Sequence, residues 1–296
     1  MYSKSNIEQR WRYVISLGIT LLVAPGCGKS NSTHSPSQMP GFSSPPFTIG
    51  KDTTYVTGPL RPDGYIDYAA AIDDLAKPGV TNDNNAAPIY LQLFDSSNDP
   101  KLAQAQQLLG VVPAPKAEQF VPLRDIESLF SDDLTNELSD LDWIVKVSPW
   151  TADDYPHLSA WLERNEAAMA RFATAAQLPR CYSPYLAGSP GNDPFTTATG
   201  QPVCCDLLNK NIEAFIIGTD WPLGSGRNRE AFRDISVGLA LSNQLMQCST
   251  MGILCASSHR KKFGTLLVQL LHDAADDELL VEAEARWREL DSWPSF

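Results

Sequence analysis

The segment Val23-Ala24-Pro25-Gly26-Cys27-Gly28-Lys29-Ser30 holds the clearest hint of chemistry, because Gly28-Lys29-Ser30 matches the end of a phosphate-binding loop. Such a loop, G-x-x-x-x-G-K-[ST], needs a first glycine to open the turn so that backbone N–H groups can cradle phosphates. Val23 occupies that position. The loop must also feed a helix whose N-terminus faces the anion, whereas Asn31-Ser32-Thr33-His34-Ser35-Pro36 is polar and ends in proline. The best aspartate for a magnesium ion, Asp220 after Phe215-Ile216-Ile217, stands two residues too far along.

Other constellations fail on mechanism. Ala187-Gly188-Ser189-Pro190-Gly191 approximates the nucleophile elbow G-x-S-x-G. There the residue after the serine must lend its backbone N–H to the oxyanion hole, and Pro190 has none. His272 and Asp276 would share a helical face and could ligate one ion, but His34, His157 and His259 are too scattered to complete a site. Asp132, Asp133, Glu137, Asp140 and Asp142 match no calcium loop and read as a solvated face. The adjacent Cys204-Cys205 lacks a nearby histidine and C-x-x-C spacing. No metal and no cofactor is expected. The one locally basic spot is Gly224-Ser225-Gly226-Arg227-Asn228-Arg229, ahead of a helix expected from about Glu230. Gly224 and Gly226 would free the backbone while Arg227 and Arg229 supply charge, which makes this a candidate anion site. An ordinary turn before a helix is the competing reading.

The opening octet reads better as the end of an export signal. Lys4, Arg10 and Arg12 form a basic start, and Tyr13 to Ala24 is an uncharged, mostly apolar stretch. That stretch falls short of the roughly 20 apolar residues a bilayer span requires. Ala24-Pro25-Gly26-Cys27 resembles the lipobox of bacterial lipoproteins, in which the cysteine is acylated and becomes the mature N-terminus. Gly26 and Cys27 fit; Ala24 and Pro25 depart from the usual pattern. Cleavage after Gly26 without acylation is the alternative. The expected organisation is a signal peptide at 1–26, a Ser/Pro-rich tether at 27–50 and one domain at 51–296. Residues 1–26 carry three basic residues and one acid, so their loss takes the net charge from −12 to −14. That charge argues against nucleic acid as a partner.

The domain itself is expected to be mainly α, an irregular multi-helix fold with helix-hairpin (tetratricopeptide-like) packing and at most a short strand. Short helices are predicted over 67–77, 85–95 and 101–109, bounded by Pro and Gly. Leu123, Ile126, Phe130, Leu134, Leu138 and Leu141 keep a helical stripe, and Trp143–Val147 is the one predicted strand. Leu158, Trp161, Leu162, Asn165, Met169, Phe172 and Ala176 share a face of a long helix ending at Pro179. The run from Ile235 to Ser258 has no charge, yet Asn243, Gln244 and Gln247 in its middle would be costly in hydrocarbon. It reads as a core helix. A further helix from Phe263 and a last one capped by Asp276 or Asp277 follow. Beyond Cys27 five cysteines remain. A bridge is expected between Cys181 and either Cys204 or Cys205, with Cys248 and Cys255 as small apolar fillers: seven residues apart on one helix, they would stand about 10 Å from each other.

Several stretches together resemble a family of uncharacterised exported proteins of planctomycete-type bacteria. They include Asp63-Gly64-Tyr65-Ile66-Asp67-Tyr68, Tyr155-Pro156 with Trp161-Leu162, and Pro179-Arg180-Cys181-Tyr182-Ser183-Pro184. The resemblance covers residues 53 to about 240 and implies export without implying an activity, ligand or catalytic residue. The expected function is that of a lipid-anchored envelope protein, periplasmic or associated with the outer membrane, held to the membrane through Cys27 and binding a protein partner of the envelope. A soluble exported form is the alternative for location, and an exported hydrolase the alternative for function. Glycan binding through exposed Trp150 and Trp221 is a further possibility.

Overall fold

The computed structural model describes residues 48–130, 149–186, 202–273 and 277–290. All lie within one compact unit, Ser44–Phe296. The signal segment with Cys27, most of the tether, the Trp143–Val147 strand, the Asp132–Asp142 acids, the Ala187–Gly191 turn and Asp276 fall outside the described residues.

The protein is mainly helical. Its helices are α1 (Tyr68–Ala76), α2 (Ala87–Gln92), α3 (Pro100–Leu108), α4 (Pro156–Ala175), α5 (Val203–Asn211), α6 (Glu213–Gly224), α7 (Asn228–Met246), α8 (Thr250–Asp273) and α9 (Asp277–Leu290). Two 3₁₀ turns, Lys116–Glu118 and Leu123–Leu129, lie between α3 and α4. Among the described residues extended pairing is limited to the isolated bridges Leu60 with Ile66 and Asn85 with Arg180.

Local chemistry sets these boundaries. The Asp67 carboxylate accepts from the Ala70 N–H at 3.0 Å and caps α1. Asp99 accepts from both Lys101 N and Leu102 N ahead of α3, with Pro100 at the first helical position, where a missing N–H costs nothing. Gly64 takes the left-handed φ of 81° in the turn that leads to α1. The uncharged run from Ile235 to Ser258 is two helices rather than one. It breaks at residues 247–249, where the Ser249 hydroxyl accepts from the Gly252 N–H at 3.0 Å and starts α8. The end of α7 is buried and the start of α8 keeps apolar residues even where Met251 and Leu254 are exposed, so hydrophobicity does not drop where the chain reverses.

The core forms around the long helix α4. Phe172 contacts four other rings: Tyr90 stacks on it at 5.2 Å, and Phe94, Phe120 and Phe215 approach edge-on at 5.6–6.2 Å. One residue therefore joins α2, α4, α6 and the 3₁₀ region. The polar member of the same α4 face, Asn165, is fully buried because its amide pairs with backbone. Its Oδ1 accepts from Val121 N at 2.8 Å and its Nδ2 donates to the Val121 and Trp161 carbonyls. The Trp161 indole N–H adds a bond to Val121 O at 2.9 Å.

The second half is built on α7, which packs most extensively against its neighbours α6 and α8. Helices α7 and α8 run antiparallel, with Gly252 meeting Leu245 near the turn and Gly238 meeting Phe263 farther along. A Cβ on Gly238 would fall 2.0 Å from Cζ of Phe263, whose side chain is completely buried. Gly238→Ala should therefore force the ring aside and cost about 1–3 kcal/mol, as overpacking does. Urea unfolding would show a lower midpoint, and partial recovery in Gly238→Ala with Phe263→Leu would tie the loss to that contact. Unchanged stability in the single variant would refute the close packing.

Candidate functional site

The segment that follows α4, Pro179-Arg180-Cys181-Tyr182-Ser183-Pro184, is bonded through its backbone to the start of α2 and through side chains to the turn after α7. Arg180 N donates to Asn84 O at 3.1 Å, and Ala86 N donates to Arg180 O at 2.8 Å. The Asn85 amide then pairs with Tyr182, accepting from its N–H at 2.7 Å and donating to its carbonyl at 2.9 Å. The Arg180 guanidinium donates to Ala76 O at 2.9 Å, so its role is to close off the end of α1. Tyr185 N donates to the Asp73 carboxylate and its hydroxyl donates to Cys248 O at 2.8 Å. Desolvation, reinforced by the Asp73 charge, pushes the Tyr182 and Tyr185 phenols up to about 12.

This segment delivers Cys181 to a buried sulfur cluster. Of the two partners expected for Cys181, Cys205 is excluded, because it is bonded to Cys248, with 6.2 Å between their Cα atoms. Cys181 and Cys204 are buried thiols whose sulfurs stand 3.8 Å apart. Consecutive residues of a helix point about 100° apart, so Cys204 and Cys205 in the first turn of α5 address different neighbours. Cys248 is not on a helix with Cys255. It occupies the turn between α7 and α8, a break that an uninterrupted uncharged run conceals. The thiol contact with Cys204, together with burial, pushes the Cys181 pKa well above the ordinary thiol value.

The candidate anion turn is built differently from expectation. Gly226 adopts φ +69° and ends α6, with its N–H donating to Leu223 O and Arg227 N donating to Pro222 O at 2.7 Å. Gly224 lacks a side chain because a Cβ there would lie 2.2 Å from the Trp150 carbonyl oxygen. Arg227 pairs with Glu230 at 2.9 Å and lies over the Trp221 ring at 4.7 Å. Arg229 reaches Glu278 at 3.2 Å and Glu282 at 3.7 Å on α9. Both arginines thus face carboxylates of their own chain, and both glycines have a backbone reason to be there. Trp150 is buried and stacks on Trp221 at 6.0 Å, which makes the pair core packing instead of an open aromatic platform.

The remaining titratable candidates are dispersed. His157 packs edge-on against Phe130, His259 shares a hydrogen bond with Asn209 at 3.2 Å, and exposed His272 contacts Asp273 at 2.8 Å. Asp220 lies on α6, because Phe215-Ile216-Ile217 is helix and forms no strand that could present it to a phosphate. Sequence reasoning missed its character. It is 2% exposed, its Oδ1 has no hydrogen-bond partner, and burial pushes its pKa up to about 8.

Asp220 is therefore protonated in the folded protein at neutral pH and ionised in the unfolded chain above its ordinary 3.8. Its stabilising contribution is complete below that value and is lost as pH rises through about 8. His259 works oppositely: burial lowers it from 6.5 to about 4, so stability falls as pH drops through that window. From about pH 6.5 to 8, Asp220 alone of these two sets the slope. Over that range the protein should lose about 1–2 kcal/mol, and Asp220→Asn should flatten the dependence. Urea unfolding at several pH values checks this; an unaltered slope in the variant would rule Asp220 out as its source.

No protein-family model matches the chain, and neither a curated protein nor a solved structure shows significant similarity to it.

Proposed function

We propose that this is an exported envelope protein, lipid-anchored through Cys27, whose helical domain serves as an interaction or structural module. The observation that carries the reading is the Cys205–Cys248 disulfide inside a helical core. Disulfides form and persist in oxidising compartments and are rare where cytosolic thiol systems keep cysteines reduced. A bridge in the interior therefore accords with the export signal read in residues 1–26. Polar side chains that could have done chemistry have partners within the chain: Arg180 a helix end, Arg227 and Arg229 surface carboxylates, and His259 Asn209. Such a domain recognises partners through its surface.

Native envelopes provide the test. The mature protein should start at Cys27, carry acyl mass on that residue and require detergent for release, while Cys27→Ser should release it from the membrane. Crosslinking in intact envelopes should recover the same protein partner repeatedly. A chain that keeps residues 1–26 and fractionates with the cytosol would refute export. A start at Cys27 without added mass would reject the anchor and leave the exported domain.

A further inference from the structure

Four of the six cysteines converge on one point of the core, from three separate parts of the chain. Cys181 arrives on the segment after α4, Cys204 and Cys205 occupy the first turn of α5, and Cys248 lies in the turn between α7 and α8. Cys205 and Cys248 are already joined. The Cys204 sulfur stands 3.8 Å from that of Cys181 and 3.6 Å from that of Cys205, and the sulfurs of Cys181, Cys204 and Cys248 all lie within 4.8 Å of one another.

Four clustered sulfurs have two chemically sensible end states, a soft metal ion held by four thiolates or two disulfides. Sulfur separations near 3.7 Å would suit a tetrahedral zinc site with bonds of about 2.3 Å. Two observations weigh against it. The Cys205–Cys248 bond leaves only two thiols, too few for a closed structural site. The polar groups described around the sulfurs are the neutral Tyr90, Tyr185, Gln244 and Gln247, which offer no positive charge to a dianionic tetrathiolate in a dry interior.

We infer that Cys181 and Cys204 form a second disulfide, so that two adjacent residues of α5 anchor two different segments. Cys204 fastens the joint after α4, and Cys205 fastens the turn between α7 and α8. The two thiols give up two protons and two electrons to the disulfide of an exported thiol oxidant, which leaves as a dithiol while the new S–S bond forms. Closure brings the sulfurs from 3.8 Å to about 2.05 Å. Cys204 is completely buried and Cys181 nearly so, which places this oxidation before the core closes. The inference rests on the export reading, because the bridge requires an oxidising compartment.

Protein from native envelopes, alkylated under denaturing and non-reducing conditions and then digested, tests the pairing. The expected product is a three-peptide species linking Cys181 and Cys248 to the Cys204-Cys205 peptide, four hydrogens lighter than its reduced parts, with fragmentation between Cys204 and Cys205 assigning each partner. Cys255 should be labelled, while Cys181 and Cys204 should not. Label on Cys181 and Cys204 beside an intact Cys205–Cys248 bridge would overturn the inference and leave the export reading standing. Four free thiols with one bound metal ion per chain would overturn both. Bridges absent in the native cell, yet both formed when the full chain is directed into an oxidising compartment, would uphold the pairing and refute export. The assay needs no variant, so a folding defect cannot obscure the result.

Discussion

The buried amide of Gln244 is the interaction on which the joining of the two halves depends. It projects from α7 into the seam with α2 and α4, where Gln244 Nε2 donates to the carbonyls of Ala175 and Leu178 at 2.9 and 2.8 Å. Its Oε1 accepts from the Tyr90 hydroxyl of α2. Those carbonyls lie where α4 runs out of its own donors, so the amide supplies what the helix end lacks. One turn later Gln247 continues the arrangement, donating to Pro179 O at 3.1 Å and accepting from Cys181 N at 3.2 Å. The two side chains steer the chain out of α4 and toward the sulfur cluster. An apolar residue at 244 would leave the Leu178 carbonyl and the Tyr90 hydroxyl without these partners in the interior, each costing about 1–3 kcal/mol, while the Ala175 carbonyl would keep the Leu178 N–H at 3.0 Å.

Around this seam, noncovalent and covalent constraints reinforce one another. Phe172 holds rings from α2, α6 and the 3₁₀ region against α4, an interaction with little directionality. The amides then select one register among those the rings would tolerate, because a shifted α7 would leave buried polar groups unsatisfied. The bond between Cys205 and Cys248 ties the far end of α7 to α5. Hydrophobic burial thus supplies most of the attraction, while a few polar groups and one bridge select the arrangement.

Much of the helical framework was legible in the sequence because the physics that sets it is local. Asp67 and Asp99 cap the helices expected near them, and the apolar face through Leu158, Trp161, Leu162 and Phe172 is the one buried. Asn165 on that face was legible as a position and opaque as a role, since its partner Val121 is 44 residues away. The same holds for Gln244 and Gln247. Their polarity argued against a membrane span, and among the described residues no helix is long and apolar enough to cross one. The carbonyls they satisfy, however, are set by tertiary packing. The cysteine pairing was illegible for a related reason: periodicity carried one helix through Cys248, and only the Ser249 cap reveals the turn that turns this cysteine toward α5.

The arginine turn shows why a motif that fits locally can still serve the fold. Two glycines and two arginines before a helix have the composition of an anion cradle, and composition alone cannot separate that from a helix stop beside a close backbone approach. The deciding atoms lie elsewhere in the chain. The Trp150 carbonyl fills the space over Gly224, and Glu278 and Glu282 on α9 meet Arg229. An external anion would have to displace those carboxylates from a guanidinium they already partly neutralise. It would also have to do so in a chain whose overall negative charge repels it. The local basicity that marks this segment in the sequence is therefore matched by carboxylates of α7 and α9 in the folded chain.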